Sequence, residues 1–193
     1  MSTTGVVIGS DSRARCGWVG ADAEYQRYHD EEWGTPLHGD RALYEKMSLE
    51  GFQAGLSWIT ILRKRPQFRV AFAGFDPAIV AHFTDADVER LMNDAGIVRN
   101  RLKIRAAISN ARIVLSMDPG ELDALMWSFA PAPREHALAT LAEVPAVTAE
   151  SEAMSKTLRK RGFRFVGATT MYALMQSSGM VDDHVAGCWR AIR

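Results

Sequence analysis

Two cysteines stand near opposite ends of the chain, and each has a histidine close to it in sequence: Cys16 with His29, and His184 with Cys188. Thiolate sulfur and imidazole nitrogen are the donors a tetrahedral zinc ion takes. His184 and Cys188 stand at i and i+4, so on a helix both side chains leave one face and can supply half of such a site. Cys16 and His29 can supply the other half, although twelve intervening residues is a looser spacing than the usual cysteine pairs show. A Cys2His2 set leaves no position open for a catalytic water, so the site would be structural and would tether the two termini. Spacing alone leaves other readings open. Cys16 and Cys188 could be buried free thiols beside ordinary histidines, or they could form a disulfide. Against the disulfide, Met1 to Arg15 lacks the basic start and apolar stretch of a leader. No run approaches the roughly 18 apolar residues of a membrane span. The chain therefore reads as soluble and cytoplasmic, a compartment that keeps thiols reduced and favours zinc as the cross-link.

A second feature is Lys160-Arg161-Gly162-Phe163-Arg164-Phe165-Val166-Gly167-Ala168-Thr169, a short connection between two helical segments with glycine at both ends. Phe163, Phe165 and Val166 can anchor it on the core. Glycine permits a tight turn, and the first amides of the following helix point outward without partners, which makes a cradle for phosphate. The bland alternative is a helix pair that turns on glycine for packing. Net charge is zero, with 23 basic and 23 acidic residues, which argues against a polyanionic partner. The distribution says otherwise. Arg63 to Arg69, Arg99 to Arg112 and Lys156 to Arg164 hold fourteen basic residues and no acid, so the folded chain can present a basic face.

With the hairpin followed by Val181-Asp182-Asp183-His184-Val185, the chain resembles the helix-hairpin-helix superfamily of DNA base-excision glycosylases. The set Cys16-Gly17-Trp18, Tyr28-His29-Asp30, Glu32-Trp33-Gly34, Leu49-Glu50-Gly51, Gln53 to Ile59, Arg161-Gly162-Phe163 and Asp183-His184 is similar to the 3-methyladenine DNA glycosylase I family in particular. The resemblance runs from Cys16 to Cys188. It implies an all-α helix-hairpin-helix DNA glycosylase fold, with one zinc held by Cys16, His29, His184 and Cys188, and the zinc reading becomes the favoured one. It implies removal of 3-methyladenine from alkylated DNA in base-excision repair, with an abasic site left behind.

That chemistry sets clear demands. A base methylated at ring nitrogen 3 is cationic and leaves as a neutral molecule, so little acid catalysis is needed. The enzyme must flip the nucleotide out, prefer a cationic base over normal adenine, and stabilise an oxocarbenium-like sugar. Aromatic faces and one carboxylate meet the selectivity demand through cation–π attraction and a negative acceptor. By resemblance, Glu50 and Tyr28 hydrogen-bond the base, Trp58 stacks on it and Trp18 lines the pocket; Tyr25 lies in the same acidic, aromatic third. Glu50 is thus both the substrate-binding and the first candidate catalytic carboxylate. Without the resemblance these rings read as core and Glu50 as a solvated helix residue or a buried partner of arginine.

Asp182 is the second catalytic candidate. In the wider superfamily the first acid of Val-Asp-x-His activates water and offsets charge on the sugar, whereas the 3-methyladenine family carries Asn there. Asp182 either restores that stabiliser or caps a C-terminal helix bearing His184. Ala168-Thr169 stands where lyase-type relatives carry a lysine, which implies a monofunctional enzyme. Gly162 and Gly167 are expected to give amides to phosphate and Arg161 and Arg164 to add charge, while Leu56 is a candidate wedge into the base stack or a core residue. Expected partners are alkylated duplex DNA and free 3-methyladenine as product, with no membrane and a monomeric chain.

The elements that must position these groups read as almost wholly helical. Asp40 can cap a segment from Arg41 to Lys64, interrupted by Gly51 and Gly55 and ended by Pro66. On it Glu50 and Trp58 would lie two turns apart on one face. Asp76-Pro77 is a cap with proline at the first helical position, and Thr84 to Asp87 is a capping box closed by Gly96. Further helices are expected over Leu102 to Met117, Glu121 to Phe129 and Glu150 to Arg161, the last stopped by Gly162. Residues 131–145 read as loop. No strand or repeat is evident. Residues 1–15 are expected to be a poorly ordered extension. Residues 16–193 read as one domain of two helical lobes with the pocket between them, since 47% hydrophobic content can fill a core.

Overall fold

The computed structural model describes residues 5–192. A short antiparallel hairpin, β1 (Val6–Ile8) and β2 (Ala14–Cys16), precedes nine helices: α1 (Ala23–Glu31), α2 (Asp40–Gln53), α3 (Trp58–Ala71), α4 (Pro77–Val80), α5 (Asp85–Asn93), α6 (Arg101–Leu115), α7 (Glu121–Trp127), α8 (Ala149–Lys160) and α9 (Ala168–Ser177). Helix α2 runs through the centre and packs on α3, α6, α7 and α9. Nine of its residues are buried, including the polar Lys46, Ser48 and Glu50. A cluster of Phe52, Phe68, Phe72 and Phe75 fills the contact between α2, α3 and the turn after it, with Phe72 and Phe75 stacked at 5.2 Å.

The caps at Asp76 and Thr84 form as their residue types require, whereas Asp40 does not cap α2: Gly39 is the N-cap there, and the Asp40 carboxylate accepts from the Gly120 and Asp123 N–H groups at 2.7 and 2.9 Å. Asp76 accepts from the Ala78 N–H at 2.9 Å with Pro77 at the first helical position, and Thr84 and Asp87 make a reciprocal capping box. Helix α5 ends at Asn93, so Gly96 does not close it; the Gly96 N–H instead donates to Asp94 Oδ1 at 2.8 Å.

Three expectations need correction. The hairpin was not legible, and it means that residues 5–15 do not form a poorly ordered extension; residues 1–4 lie outside the described residues. Val6, Val7 and Ile8 are strand formers, but three-residue strands are too short for an alternating pattern to show. The Arg41 to Lys64 segment is two helices, broken at Ala54, Gly55, Leu56 and Ser57, where Gly55 takes a left-handed φ of 87°. Pro66 does not end a helix either. It lies inside α3, and although an internal proline costs about 3 kcal/mol, Phe68, Ala71 and Phe72 beyond it are buried and hold the last turn in place. The hairpin has a positional role: the Ala14 carbonyl accepts from the Trp189 N–H at 2.8 Å, which brings Cys16 beside the C-terminal segment.

Candidate active site and metal-ligand cluster

Helix α1 begins at Asp22, whose carboxylate accepts from the Tyr25 N–H at 3.0 Å. Tyr25, Tyr28 and His29 then follow at i, i+3 and i+4 and so share a face. The break after α2 starts α3 at Trp58, and this turn, not a shared helix face, brings Glu50 and Trp58 together. With the last turn of α9 these segments enclose a cavity of about 360 Å³ that Trp18, Tyr25, Tyr28, Glu50 and Trp58 all line. Tyr28 lies 5.6 Å from Trp58 and stacks at 6.4 Å on Tyr25, and Trp18 meets Tyr25 edge-on at 4.9 Å.

Glu50 is 3% exposed, and its Oε1 accepts from the Ser177 hydroxyl at 2.9 Å. Burial pushes its carboxyl up to about 7, with Lys46 and the Ser177 hydrogen bond pulling in the opposite direction. Burial and then the nearby Glu50 charge push Tyr25 and Tyr28 up, so both stay neutral phenols. The Trp58 indole N–H is buried with no acceptor on the protein. A buried donor of this kind calls for a partner from outside the chain. Sequence reasoning missed Gln53, Ser177 and Asp183, which line the same cavity.

Asp183, not Asp182, forms the cavity wall. Its Oδ2 accepts from the Tyr172 hydroxyl at 2.6 Å and the Gln176 amide at 2.8 Å, while the Arg134 guanidinium pairs with Oδ1. Asp182 turns away: its Oδ1 accepts from the His184 backbone N–H at 3.0 Å and contacts His184 Nδ1 at 2.8 Å. Nor does it cap a helix. His184 and Cys188 lie in a turn, because the side chain of Asp182 captures the backbone and Gly187 takes φ 88°. Asp182→Asn retains the carbonyl acceptor. The single-turnover excision rate should hold within a few-fold, and if His184 is a ligand, metal affinity should drop about tenfold as its hydrogen-bond partner weakens. A kinetic profile and a chelator competition on the same preparation check both expectations.

Cys16, His29 and Cys188 bring their ligand atoms within 4.8 Å of one another and form a group that could hold a metal ion. Cys188 Sγ lies 3.4 Å from His29 Nε2. Its hydrogen bond with Cys16 pulls the Cys188 thiol down toward thiolate, and Cys16 is correspondingly raised. His29 Nδ1 contacts Asp30 Oδ1 at 2.8 Å, the arrangement His184 repeats with Asp182, so each imidazole keeps Nε2 for another partner. The His184 Nε2 atom is buried and has none on the protein. Its ring lies 5.0 Å from that of His29. Three of the four expected ligands thus converge; His184 is not in that group, although its orphaned Nε2 is near it, and sulfur and imidazole donors suit a metal ion that takes nitrogen and sulfur.

The connection between α8 and α9 is a turn at Gly162, φ 94°, with Gly167 as the N-cap of α9 and no side chain capping that end. Phe163 and Val166 are buried, but Phe165 is 40% exposed, so two of the three apolar residues anchor the turn. Asn110 clamps it, accepting from the Arg164 N–H at 2.9 Å and donating to the Arg164 carbonyl at 3.0 Å. Arg161 pairs with Glu121. The basic face is narrower than the sequence suggests, because Arg63, Arg65, Arg69, Arg101 and Arg105 also pair with acids from distant segments. Of the three basic windows, Lys156, Arg159, Lys160 and Arg164, on α8 or the turn before α9, are exposed without an ion pair among the described residues, as are Arg99 and Arg112 at the two ends of the α6 window. Leu56, 44% exposed, stands at the break between α2 and α3 and is not a core residue.

A helical frame around an aromatic cavity the size of one base, with a carboxylate in its wall, defines a DNA glycosylase of the helix-hairpin-helix class. The chain belongs to the methyladenine glycosylase family, whose family model matches residues 18–191. It is 52% identical over 178 residues to DNA-3-methyladenine glycosylase 1 of Escherichia coli (strain K12), covering 90% of this chain and 95% of that protein. A crystal structure of a 3-methyladenine DNA glycosylase I superimposes with a TM-score of 0.87 at 47% identity, over 91% of this chain and 98% of the other. The 3-methyladenine DNA glycosylase I of Staphylococcus aureus, solved to explain 3-methyladenine recognition, gives 0.85 at 32% identity over 93% and 97%.

Proposed function

We propose that this protein excises 3-methyladenine from alkylated duplex DNA by hydrolysing the bond between base and deoxyribose, leaving an abasic site. The observation that carries the reading is Glu50: a buried carboxylate with one oxygen on Ser177, in a cavity walled by Tyr25, Tyr28, Trp18 and Trp58. Neutral adenine gains stacking and ordinary hydrogen bonds from such walls. A cationic methylated base gains cation–π attraction and a charged acceptor as well. Tyr28 offers the base a neutral hydroxyl and Trp58 a face. Because the leaving group departs neutral, the residues mainly orient the base, exclude water from its faces and concentrate negative potential where positive charge lies. Glu50 and Asp183 provide that potential. Asp182, turned to His184, is a positioning residue for a metal ligand rather than a catalytic one.

In this reading Cys16, His29, His184 and Cys188 hold one structural zinc, which joins the hairpin end to the C-terminal segment and takes no part in the reaction. The chain acts as one monomeric domain that takes in the hairpin strand ahead of residue 16, its base pocket between two helical lobes, in the cytoplasm; among the described residues no helix is long and apolar enough to cross a membrane. Leu56 enters the gap left by the flipped base. Gly162, Gly167 and the amides of α9 contact phosphate, and Arg164 gives non-specific attraction. Arg161 adds less, since Glu121 offsets its charge. Arg164→Ala should weaken DNA binding for all sequences alike and reduce the slope of log K against log salt by about one unit, without changing binding of free base. Titrations at several salt concentrations measure it.

The test of reaction type is a labelled alkylated duplex incubated with the protein. Strand scission only after alkali identifies a monofunctional glycosylase. Scission without alkali would identify a lyase, and none after alkali would remove the glycosylase reading.

A further inference from the structure

Lys46 is a buried cation that no sequence motif brings to notice. It stands on α2 one turn before Glu50, is 8% exposed, and makes no hydrogen bond or ion pair among the described residues. Its Nζ sits 5.4 Å from the centre of the Tyr28 ring and 5.5 Å from that of Trp58, the two rings that flank Glu50 in the base cavity. The lysine does not line that cavity. It lines a second one, of about 230 Å³, whose wall also holds Glu32, Glu45 and Arg65. The ammonium therefore lies behind the aromatic wall, where it is shielded from the base but one helical turn from the carboxylate.

Such a placement runs against simple base recognition. A cation beside a pocket that must hold a cation opposes binding, and an unpaired buried ammonium is costly in itself. The counterpart that makes it useful is Glu50. A carboxyl at 3% exposure whose protein hydrogen bond is a single one from a neutral hydroxyl tends to hold its proton, and a protonated Glu50 has no charge to offer.

We propose that Lys46 is a positioning residue that favours the ionised form of Glu50, and so sets the lower pH limit of base excision. The proposal rests on Glu50 being the carboxylate that selects the cationic base. The other groups around Glu50 cannot replace the lysine. From α1 and the segment after it come Tyr25, Tyr28 and Glu32, which are neutral or negative. From α9 comes the neutral Ser177, and across the cavity stands Asp183, another acid. From α3 comes Arg65, but Glu32 engages it in a two-pronged ion pair. On α2 itself Glu45 pairs with Arg69. Lys46 is the one cation near Glu50 without an acid of its own among the described residues. The directions agree: burial raises Glu50 while Lys46 opposes the rise, and burial lowers Lys46 while Glu50 opposes the fall.

The sign follows. The ionised carboxylate is the working form, so excision is present above the Glu50 midpoint and lost as pH falls through it. Removing the lysine moves that midpoint upward. Two measurements on the full-length protein test this, for the wild type, Lys46→Met, Lys46→Gln and Lys46→Arg. The first is the carbon-13 titration of the Glu50 carboxyl, assigned by its disappearance in Glu50→Gln. The second is the single-turnover excision rate on alkylated duplex from pH 5.5 to 9, with the wild-type profile as the control for the substrate's own titration. The expected result is an upward shift of about one to three pH units in both neutral variants, the size an opposite charge at close range produces. Excision below the shifted midpoint should drop about tenfold per unit and recover toward the wild-type rate as pH rises through it, and Lys46→Arg should restore the wild-type midpoint. A merely structural lysine would lower the rate equally at every pH. An unshifted carboxyl titration in a folded neutral variant overturns the proposal. If the wild type excises nothing, the functional reading fails, and the titration still decides whether Lys46 governs the charge of Glu50.

Discussion

Glu50→Gln should release 3-methyladenine from alkylated DNA at least about 100-fold more slowly than the wild type in single turnover, with melting temperature equal or higher. The glutamine is isosteric and its carbonyl can still accept from Ser177, so shape and packing are kept. What disappears is charge. A hydrogen bond to a charged partner contributes about 1.5–3 kcal/mol, and attraction to a cationic base in a water-poor cavity adds to it; about 3 kcal/mol is roughly 100-fold in rate. Stability responds in the opposite direction. The folded carboxyl, at about 7, lies above its ordinary value of 4.5. Between those values the folded state binds more protons than the unfolded one, so Glu50 costs stability as pH rises through that window and the cost is complete above it. The variant should therefore gain most, relative to the wild type, above pH 7, less whatever is lost by leaving Lys46 without a counter-charge. Melting curves at pH 5 and pH 8 separate the two contributions. Unchanged base release by Glu50→Gln would remove Glu50 from the site.

Cys188→Ser should produce the second large effect, a loss of several kcal/mol in stability, since metal binding at structural sites of this kind is coupled to folding. At about 2–4 °C per kcal/mol for a chain of this size, melting should fall by roughly 10 °C. Wild-type protein purified without chelator should carry one zinc per chain, and the variant much less. The pocket should suffer with the cluster, because its walls rest on the two histidines beside it: Trp18 lies 5.5 Å from His29 and Trp33 lies 4.6 Å from His184. Excision by Cys188→Ser should accordingly fall even below its melting temperature. No metal in the wild type, or a variant as stable as the wild type, would dismiss the zinc tether.

Cap chemistry and helical periodicity were legible in the sequence wherever they act locally, as at Asp76, Thr84 and Gly162. The errors lie where tertiary contacts override local pattern. The periodicity of Arg41 to Lys64 continues through Gly55, and only packing of α2 against α9 and of α3 against α2 shows where the chain must break. The i, i+4 spacing of His184 and Cys188 is compatible with chelation from a helix, yet the acids ahead of it hold a turn that places the same two side chains. The adjacent acids Asp182 and Asp183 could not be told apart by type. Their roles are assigned by Arg134, Tyr172 and Gln176 on one side and His184 on the other, residues up to 49 positions distant. Charge counting failed for a similar reason, because acid-free windows meet their acids across the fold. The residues assigned to base recognition and metal binding, Glu50, Tyr28, Trp58 and the cysteine–histidine pairs, were visible as types and through family resemblance. Their convergence in space was not.

The most direct measurement is chromatography of the bases freed when wild-type protein acts on duplex DNA treated with a methylating agent, against the same DNA without protein and against unmethylated DNA. Release of 3-methyladenine well above the spontaneous background, with no adenine from unmethylated DNA, is the expected result. Background levels of 3-methyladenine from a folded, metal-replete preparation would contradict the account.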